Sequence, residues 1–206
     1  MKRVVLVDTS MGNLRSVARA LDRAGAEVTL SADPEAVRGA DRVVVPGQGH
    51  FRDCAKALAG GLGEALRAHV DAGRPYLGIC LGMQILFERS EEAEDVAGLG
   101  LFPGAVRRFA DDLVDSDGRA LKVPHMGWNV VRGAHPLLDP EAWLYFVHSY
   151  HCVPADPSLT VGTAEYGAPF CAAIAKDNVF ACQFHPEKSQ RAGARVLERF
   201  LEDAWS

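Results

Sequence analysis

The chain has 206 residues, of which 48% are hydrophobic and 24% charged, a composition that excludes disordered and fibrous architectures. At this length roughly 70% of the unfolded surface is buried on folding, so a core forms without disulfide or metal staples. With 22 Lys and Arg against 27 Asp and Glu, a formal charge of −5 and no basic block, nucleic acid is excluded as the main ligand.

Met1-Lys2-Arg3 runs directly into a short apolar segment ending at Asp8. That is a buried first strand over residues 3–7, not a signal peptide, and no stretch approaches the ~18 uninterrupted apolar residues of a bilayer span. The expectation is a soluble cytoplasmic protein. Leu14, Val17, Ala18 and Leu21 then repeat at helical spacing, with Gly25 placed to end that helix. Residues 27–30 and 42–45 read as the next strands. A helical region over 51–72 is interrupted by Gly60, Gly61 and Gly63. Residues 75–79 form another buried strand and 81–89 a helix. The alternation predicts βαβ units around a central, mostly parallel sheet in three layers.

After Gly98 the pattern changes to short β-rich segments at 105–109, 130–131, 143–147, 161–166, 172–175 and 179–184, separated by Pro, Gly and Asp. They predict an antiparallel extension of the sheet. A helix over 189–201 closes the chain, with Val196, Leu197, Phe200 and Leu201 on one face. There is no internal repeat and no linker, so residues 1–206 are expected to form one domain. Five scattered cysteines, Cys54, Cys80, Cys152, Cys171 and Cys182, include no CxxC pair, which argues against a secreted disulfide framework and leaves room for a reactive thiol.

Cys80 is the candidate. Gly78-Ile79-Cys80-Leu81-Gly82 has the GxCxG form of a nucleophile elbow between a predicted strand and a predicted helix. The sharp turn crowds the backbone, and flanking glycines relieve it. A helix starting at Leu81 aims its N–H groups and positive dipole end at the sulfur, which favours the thiolate. The alternative is that Cys80 is a small buried hydrophobe, the reading that the other four cysteines receive.

A thiol nucleophile needs a base and the base an orienter. Gln183-Phe184-His185-Pro186-Glu187 ends the last strand-like segment. If the extended form continues, its period of two puts His185 and Glu187 on one side, where the carboxylate can accept the imidazole N–H. The competing reading is a metal site drawn from His125, His135, His148, His151, Cys152 and His185. In a strand, however, His148 and His151 point to opposite faces, and the spacing is not that of zinc ligands. Acyl chemistry also needs oxyanion donors. The Leu81 N–H is one, and Gly47-Gln48-Gly49, directly after Val43–Val45, can turn a second amide toward a ligand. Gln84, one turn after Cys80, can hydrogen-bond a polar substrate.

These residues resemble a known family. PGQG at 46–49, GICLGMQ at 78–84 and QFHPEKS at 183–189 are similar to the class I, triad-type glutamine amidotransferases. Within that class, MGNLRSV at 11–17, PHMGWN at 124–129 and YFVHSY at 145–150 resemble the glutaminase subunits of imidazole glycerol phosphate synthase, of histidine biosynthesis. The resemblance implies a flavodoxin-like class I fold, no cofactor, and a Cys80-His185-Glu187 triad that hydrolyses L-glutamine to glutamate and ammonia through a thioester. It implies a glutamine pocket at Gln84, Glu92, Ser149 and Tyr150, with oxyanion donors among Gly47, Gln48, Gly49 and Leu81.

It further implies a (βα)8-barrel cyclase partner. That partner uses the ammonia to make imidazole glycerol phosphate and an aminoimidazole carboxamide ribotide. Asn13, Trp128, Tyr145 and Lys188 would then lie at the interface, although the two aromatics read equally well as core residues. The family usually carries Tyr-Gly where this chain has Thr9-Ser10, and an apolar residue, commonly Val, where Gln48 stands. The competing functions are another class I amidotransferase, a stand-alone thiol (γ-glutamyl) hydrolase, or a scaffold with a dead site.

Overall fold

β1 (Lys2–Val7), α1 (Leu14–Arg23), β2 (Ala26–Ser31), α2 (Pro34–Arg38), β3 (Val43–Val45), α3 (Phe51–Ala59), α4 (Leu62–Asp71), β4 (Tyr76–Ile79) and α5 (Leu81–Gln84) alternate through the first part of the chain. β5 (Phe87–Ser90), β6 (Phe102–Arg108), β7 (His125–Gly133), β8 (Glu141–His148), β9 (Tyr150–Pro154), β10 (Thr160–Glu165), β11 (Pro169–Lys176) and β12 (Val179–Cys182) follow, and α6 (Gln190–Phe200) closes the fold. This computed structural model describes residues 2–10 and 12–202, so Met1, and Met11 of the MGNLRSV run, lie outside the described residues.

The strands run in the order β2-β1-β3-β4-β12-β11-β10-β7-β8. β2, β1, β3, β4 and β12 are parallel to one another, and the remainder of the path is the antiparallel extension. Side chains alternate across the parallel half. Val44, Leu77 and Ile79 point into one core with residues of α1 and α6, while Val43, Val45 and Tyr76 point into a second core with residues of α2, α3 and α4. Burial on both faces explains why these strands read as continuous apolar runs. The C-terminal strand β12 lies directly beside β4, with Cys182 opposite Ile79. That pairing brings the two halves of the site together.

Several elements differ from the sequence reading. The apolar run at 79–87 carries no period that separates helix from strand, and the predicted helix over 81–89 stops at Gln84 before giving way to β5. The carbonyls it would have used accept instead from a distant segment: Leu99 N donates to Ile85 O at 2.7 Å and Leu101 N to Leu86 O at 2.8 Å. Helix α2 went unread although Asp33 caps it, accepting from Glu35 N, and Pro34 starts it. Gly60 and Gly61 do break the helical region, but Gly63 lies inside α4, where an imagined Cβ would meet Leu58 O at 2.9 Å and Leu99 Cδ2 at 3.0 Å. β7 is far longer than the expected 130–131, and β9 was missed.

Candidate active site

The elbow is tightly built. Cys80 sits at φ +52°, ψ −103°, between β4 and α5, a region that non-glycine residues enter only when their surroundings hold them there. The holding contacts are specific. Cys80 N donates to Cys182 O at 2.7 Å, Met83 N and Gln84 N donate to Cys80 O, and the Tyr76 hydroxyl donates to Gly82 O at 2.8 Å. A Cβ on Gly82 would lie 1.9 Å from Val45 O, and one on Gly78 2.4 Å from Gly82 O. The predicted need for glycine at both flanks is therefore steric. Gly47 packs on Leu81 just as closely, its imagined Cβ 2.3 Å from Leu81 Cβ. The 46–49 loop and the first residue of α5, whose N–H has no intrahelical acceptor, thus face one another.

His185 and Glu187 are joined, but not by an extended strand. β12 ends at Cys182, and Pro186–Lys188 forms a 3-10 turn with Pro186 at its first position. Proline suits that position, where no N–H is needed. His185 N donates to Tyr145 O at 2.9 Å, and Ser189 Oγ donates to His185 O at 2.6 Å. The Glu187 carboxylate can only accept, so His185 Nδ1–H donates to Glu187 Oε1, at 2.8 Å with both side chains buried. This fixes the tautomer. Nε2 closes no hydrogen bond and lies within electrostatic reach of the Cys80 sulfur. Burial alone would lower the pKa of this imidazole, but the facing sulfur and then Glu187 push it up to about 9. Burial pushes Cys54 up to about 12 and Cys171 up to about 11, and takes Cys152 and Cys182 well above the usual thiol value.

A cavity of about 450 Å³ opens onto Cys80. Gly47, Gln48, Gly49 and Leu81 form one wall, with Gln84, Glu92, Ser149 and Tyr150 around the remainder, so the sequence-predicted pocket residues all meet there. Glu92 is also tied to a helix start, its Oε2 accepting from Phe51 N at 2.7 Å. Gln84 is not wholly available to a ligand, because its amide nitrogen donates to Tyr150 O and Gln183 Oε1, each at 3.1 Å. Pro124, Val147, His148 and Lys188 complete the lining.

Trp128 and Tyr145 meet edge-to-face at 5.9 Å, and the Lys188 ammonium lies 5.9 Å from the Tyr145 ring centre. Trp128 is 42% exposed, which removes the core reading for it, whereas Tyr145 is half-buried. Asn13 is exposed and does not line the cavity. Its side chain caps α1, accepting from Ser16 N at 3.2 Å. The adjoining Gly12 lies against Gln48, with an imagined Cβ 3.1 Å from Gln48 N.

Of the histidines in the competing metal reading, His125 and His148 are hydrogen-bonded to each other and His185 to Glu187. His148 and His151 do not diverge as expected: the chain turns at Ser149 between β8 and β9, and both rings pack on Phe109. Tyr150 O accepts from His148 Nδ1–H at 2.8 Å, so His125 Nδ1–H donates to His148 Nε2 at 2.9 Å. Burial lowers their pKa values to about 3 for His148 and about 4 for His125. Among the described residues no group of three or more His, Cys, Asp or Glu is arranged to hold a metal ion. The sequence reading gave Gln183 no role, yet it is fully buried and its Nε2 donates to Cys80 Sγ at 3.4 Å. Its signal was an amide two residues before the base, at the end of an otherwise apolar strand.

A buried thiol held in reach of an oriented imidazole, at a cavity lined by the 46–49 loop and the start of α5, is an acyl-transfer constellation. The family described as Glutamine amidotransferase class-I matches residues 5–204. The chain belongs to this family. Among its relatives are the imidazole glycerol phosphate synthase subunit HisH of Syntrophotalea carbinolica, 49% identical with 96% of this chain and 98% of the relative covered, and that of Chromobacterium violaceum, 50% identical with 98% of each covered. A solved glutamine amidotransferase superimposes with a TM-score of 0.74 at 20% identity over 96% of both chains, which shows the shared fold. As a class I glutamine amidotransferase the chain is an enzyme, and its cavity is of a size suited to a small metabolite.

Proposed function

We propose that this protein is the glutaminase subunit of imidazole glycerol phosphate synthase, with Cys80 as its nucleophile. The Cys80 thiolate attacks the side-chain carboxamide carbon of L-glutamine, and the developing oxyanion is met by the Leu81 N–H and an amide of the Gly47–Gln48–Gly49 loop. His185, held as imidazolium by Glu187, gives its proton to the leaving nitrogen, and ammonia departs. The neutral imidazole then takes a proton from water, which attacks the thioester and releases glutamate. Gln84, Glu92, Ser149 and Tyr150 bind the amino-acid end. The observation that carries this reading is the buried Cys80 at positive φ opposite the His185–Glu187 pair.

The ammonia passes to a (βα)8-barrel cyclase, which uses it to form imidazole glycerol phosphate and an aminoimidazole carboxamide ribotide. An apolar stripe supports such a partner. The β7–β8 register pairs Met126 with Val147, Trp128 with Tyr145 and Val130 with Trp143 on one face, and Met126 and Trp143 are 62% and 61% exposed. Asn13, Trp128, Tyr145 and Lys188 contribute to that contact. Five free cysteines accord with a cytoplasmic setting, and among the described residues no helix is long and apolar enough to cross a membrane.

The test is glutamine turnover with and without a cyclase barrel and its nucleotide. Low turnover alone, a rise on adding both, and loss of all turnover in Cys80→Ala with the partner still bound are the expected results. Unchanged turnover in Cys80→Ala removes the mechanism. Equal rates with and without the partner favour a stand-alone thiol hydrolase.

A further inference from the structure

Gln183 lies one residue beyond β12, fully buried between Gln84 and Cys80. Its neighbours settle which way its amide points. Tyr150 O can only accept, so the nitrogen of Gln84 faces it at 3.1 Å, and the same nitrogen supplies its second hydrogen to Gln183 Oε1 at 3.1 Å. That leaves Gln183 Nε2 turned to the sulfur of Cys80, 3.4 Å away. Tyr150 O also accepts from His148 Nδ1–H at 2.8 Å, so the backbone at the pocket wall is held from two sides.

We propose that Gln183 is a positioning residue for the nucleophile: its amide N–H, aimed by Gln84 and the Tyr150 carbonyl, binds the Cys80 thiolate. The amide carries no titratable proton, so this donor is present at every pH, whereas the imidazolium is not. A hydrogen bond to an ionised acceptor is stronger than one to a neutral thiol, so the contact favours the thiolate over the thiol. It also fixes where the sulfur stands relative to the oxyanion donors. The chain Tyr150–Gln84–Gln183–Cys80 therefore links the wall of the glutamine pocket to the attacking atom.

The inference rests on reading Cys80 as the nucleophile, and the test reads the sulfur itself, without glutamine. Full-length Gln183→Met, which keeps the side-chain length but removes the donor, and Gln183→Glu, which places an acceptor against the sulfur, are alkylated with iodoacetamide across a pH series. Labelling of the Cys80 peptide is followed by mass spectrometry. The expected result is an alkylation midpoint raised by about one pH unit in Gln183→Met and by more in Gln183→Glu, with kcat down roughly tenfold and KM little changed. Midpoints that stay in place in both variants overturn the proposal, whatever happens to turnover. Should those variants not fold, Gln84→Glu reads the same chain from its other end. A carboxylate there takes the Gln183 nitrogen and turns its oxygen to the sulfur, so the midpoint must again rise, and one that does not move overturns the proposal. A raised midpoint in a protein whose Cys80→Ala variant still hydrolyses glutamine would leave the Gln183–sulfur contact standing but overturn Cys80 as the nucleophile, and with it the positioning role.

Discussion

His185 carries a proton on Nδ1 because Glu187 offers it only an acceptor, and this leaves Nε2 as the atom that, in the proposed mechanism, exchanges protons with sulfur and leaving group. With its pKa raised to about 9, the imidazole stays cationic through neutral pH and loses its proton as pH rises through that value. The alkaline limb of kcat/KM is therefore expected to fall near pH 9. In Glu187→Gln, which removes one of the two charges that favour the cation, the limb should move to lower pH while turnover drops about a hundredfold. His185→Ala removes the acid and base outright and should cost about a thousandfold or more. A pH–rate series on the three proteins checks both, and a larger loss in Glu187→Gln than in His185→Ala would contradict the assigned roles.

At the scale of elements, the elbow depends on three backbones meeting without side chains between them. Gly82 lies so close to Val45 O, and Gly47 to Leu81, that neither backbone can yield without moving β3 or α5. Gly82→Ala is expected to destabilise the fold by about 3 kcal/mol, seen as a lower urea midpoint, with loss of turnover because the elbow must open. Ser10 illustrates the opposite case. It adopts φ +59° in the loop before α1, where the family usually has glycine. Ser10→Gly should stabilise the protein by up to about 1 kcal/mol in the same titration.

For the whole molecule, histidine burial sets the pH range of stability. His69, His125, His135, His148 and His151 all have lowered pKa values, with burial the leading cause in each. Each binds its proton less readily folded than unfolded. Their stability contribution is thus complete above the ordinary value near 6.5 and is lost as pH falls through the lowered values, about 4 for His125 and about 3 for His148. His185 works in the other sense, contributing fully below 6.5 and losing that contribution as pH rises through about 9. The Tm is expected to be highest near pH 6.5–7 and to fall more steeply on the acid side, where five groups act together. A flat Tm between pH 7 and 4 would show that these imidazoles titrate normally. The exposed stripe makes a second prediction at this scale. Trp128→Ala should leave the isolated chain as stable as before, within about 0.5 kcal/mol, while weakening capture of the cyclase barrel by roughly tenfold or more in a binding titration.

The parallel half of the fold was legible in the sequence because its strands are buried on both faces, which writes them as continuous apolar runs, and its helices as stripes between them. The elbow and the His185–Glu187 pair were legible as motifs because their residues lie a few positions apart, although the backbone that holds them, Cys182 O for Cys80 N and Tyr145 O for His185 N, is far along the chain. What the sequence left open depends on partners far along the chain. Segment 85–90 becomes a turn and a strand instead of a helix because residues 99–101 take its carbonyls. Gln183 acquires its role only when β12 pairs with β4 and lays its amide against Cys80, 103 positions earlier. The local chain sets which groups a segment presents, and sheet pairing decides which of them face each other. Burial there leaves a polar atom no solvent to turn to, so its orientation was set by tertiary structure alone.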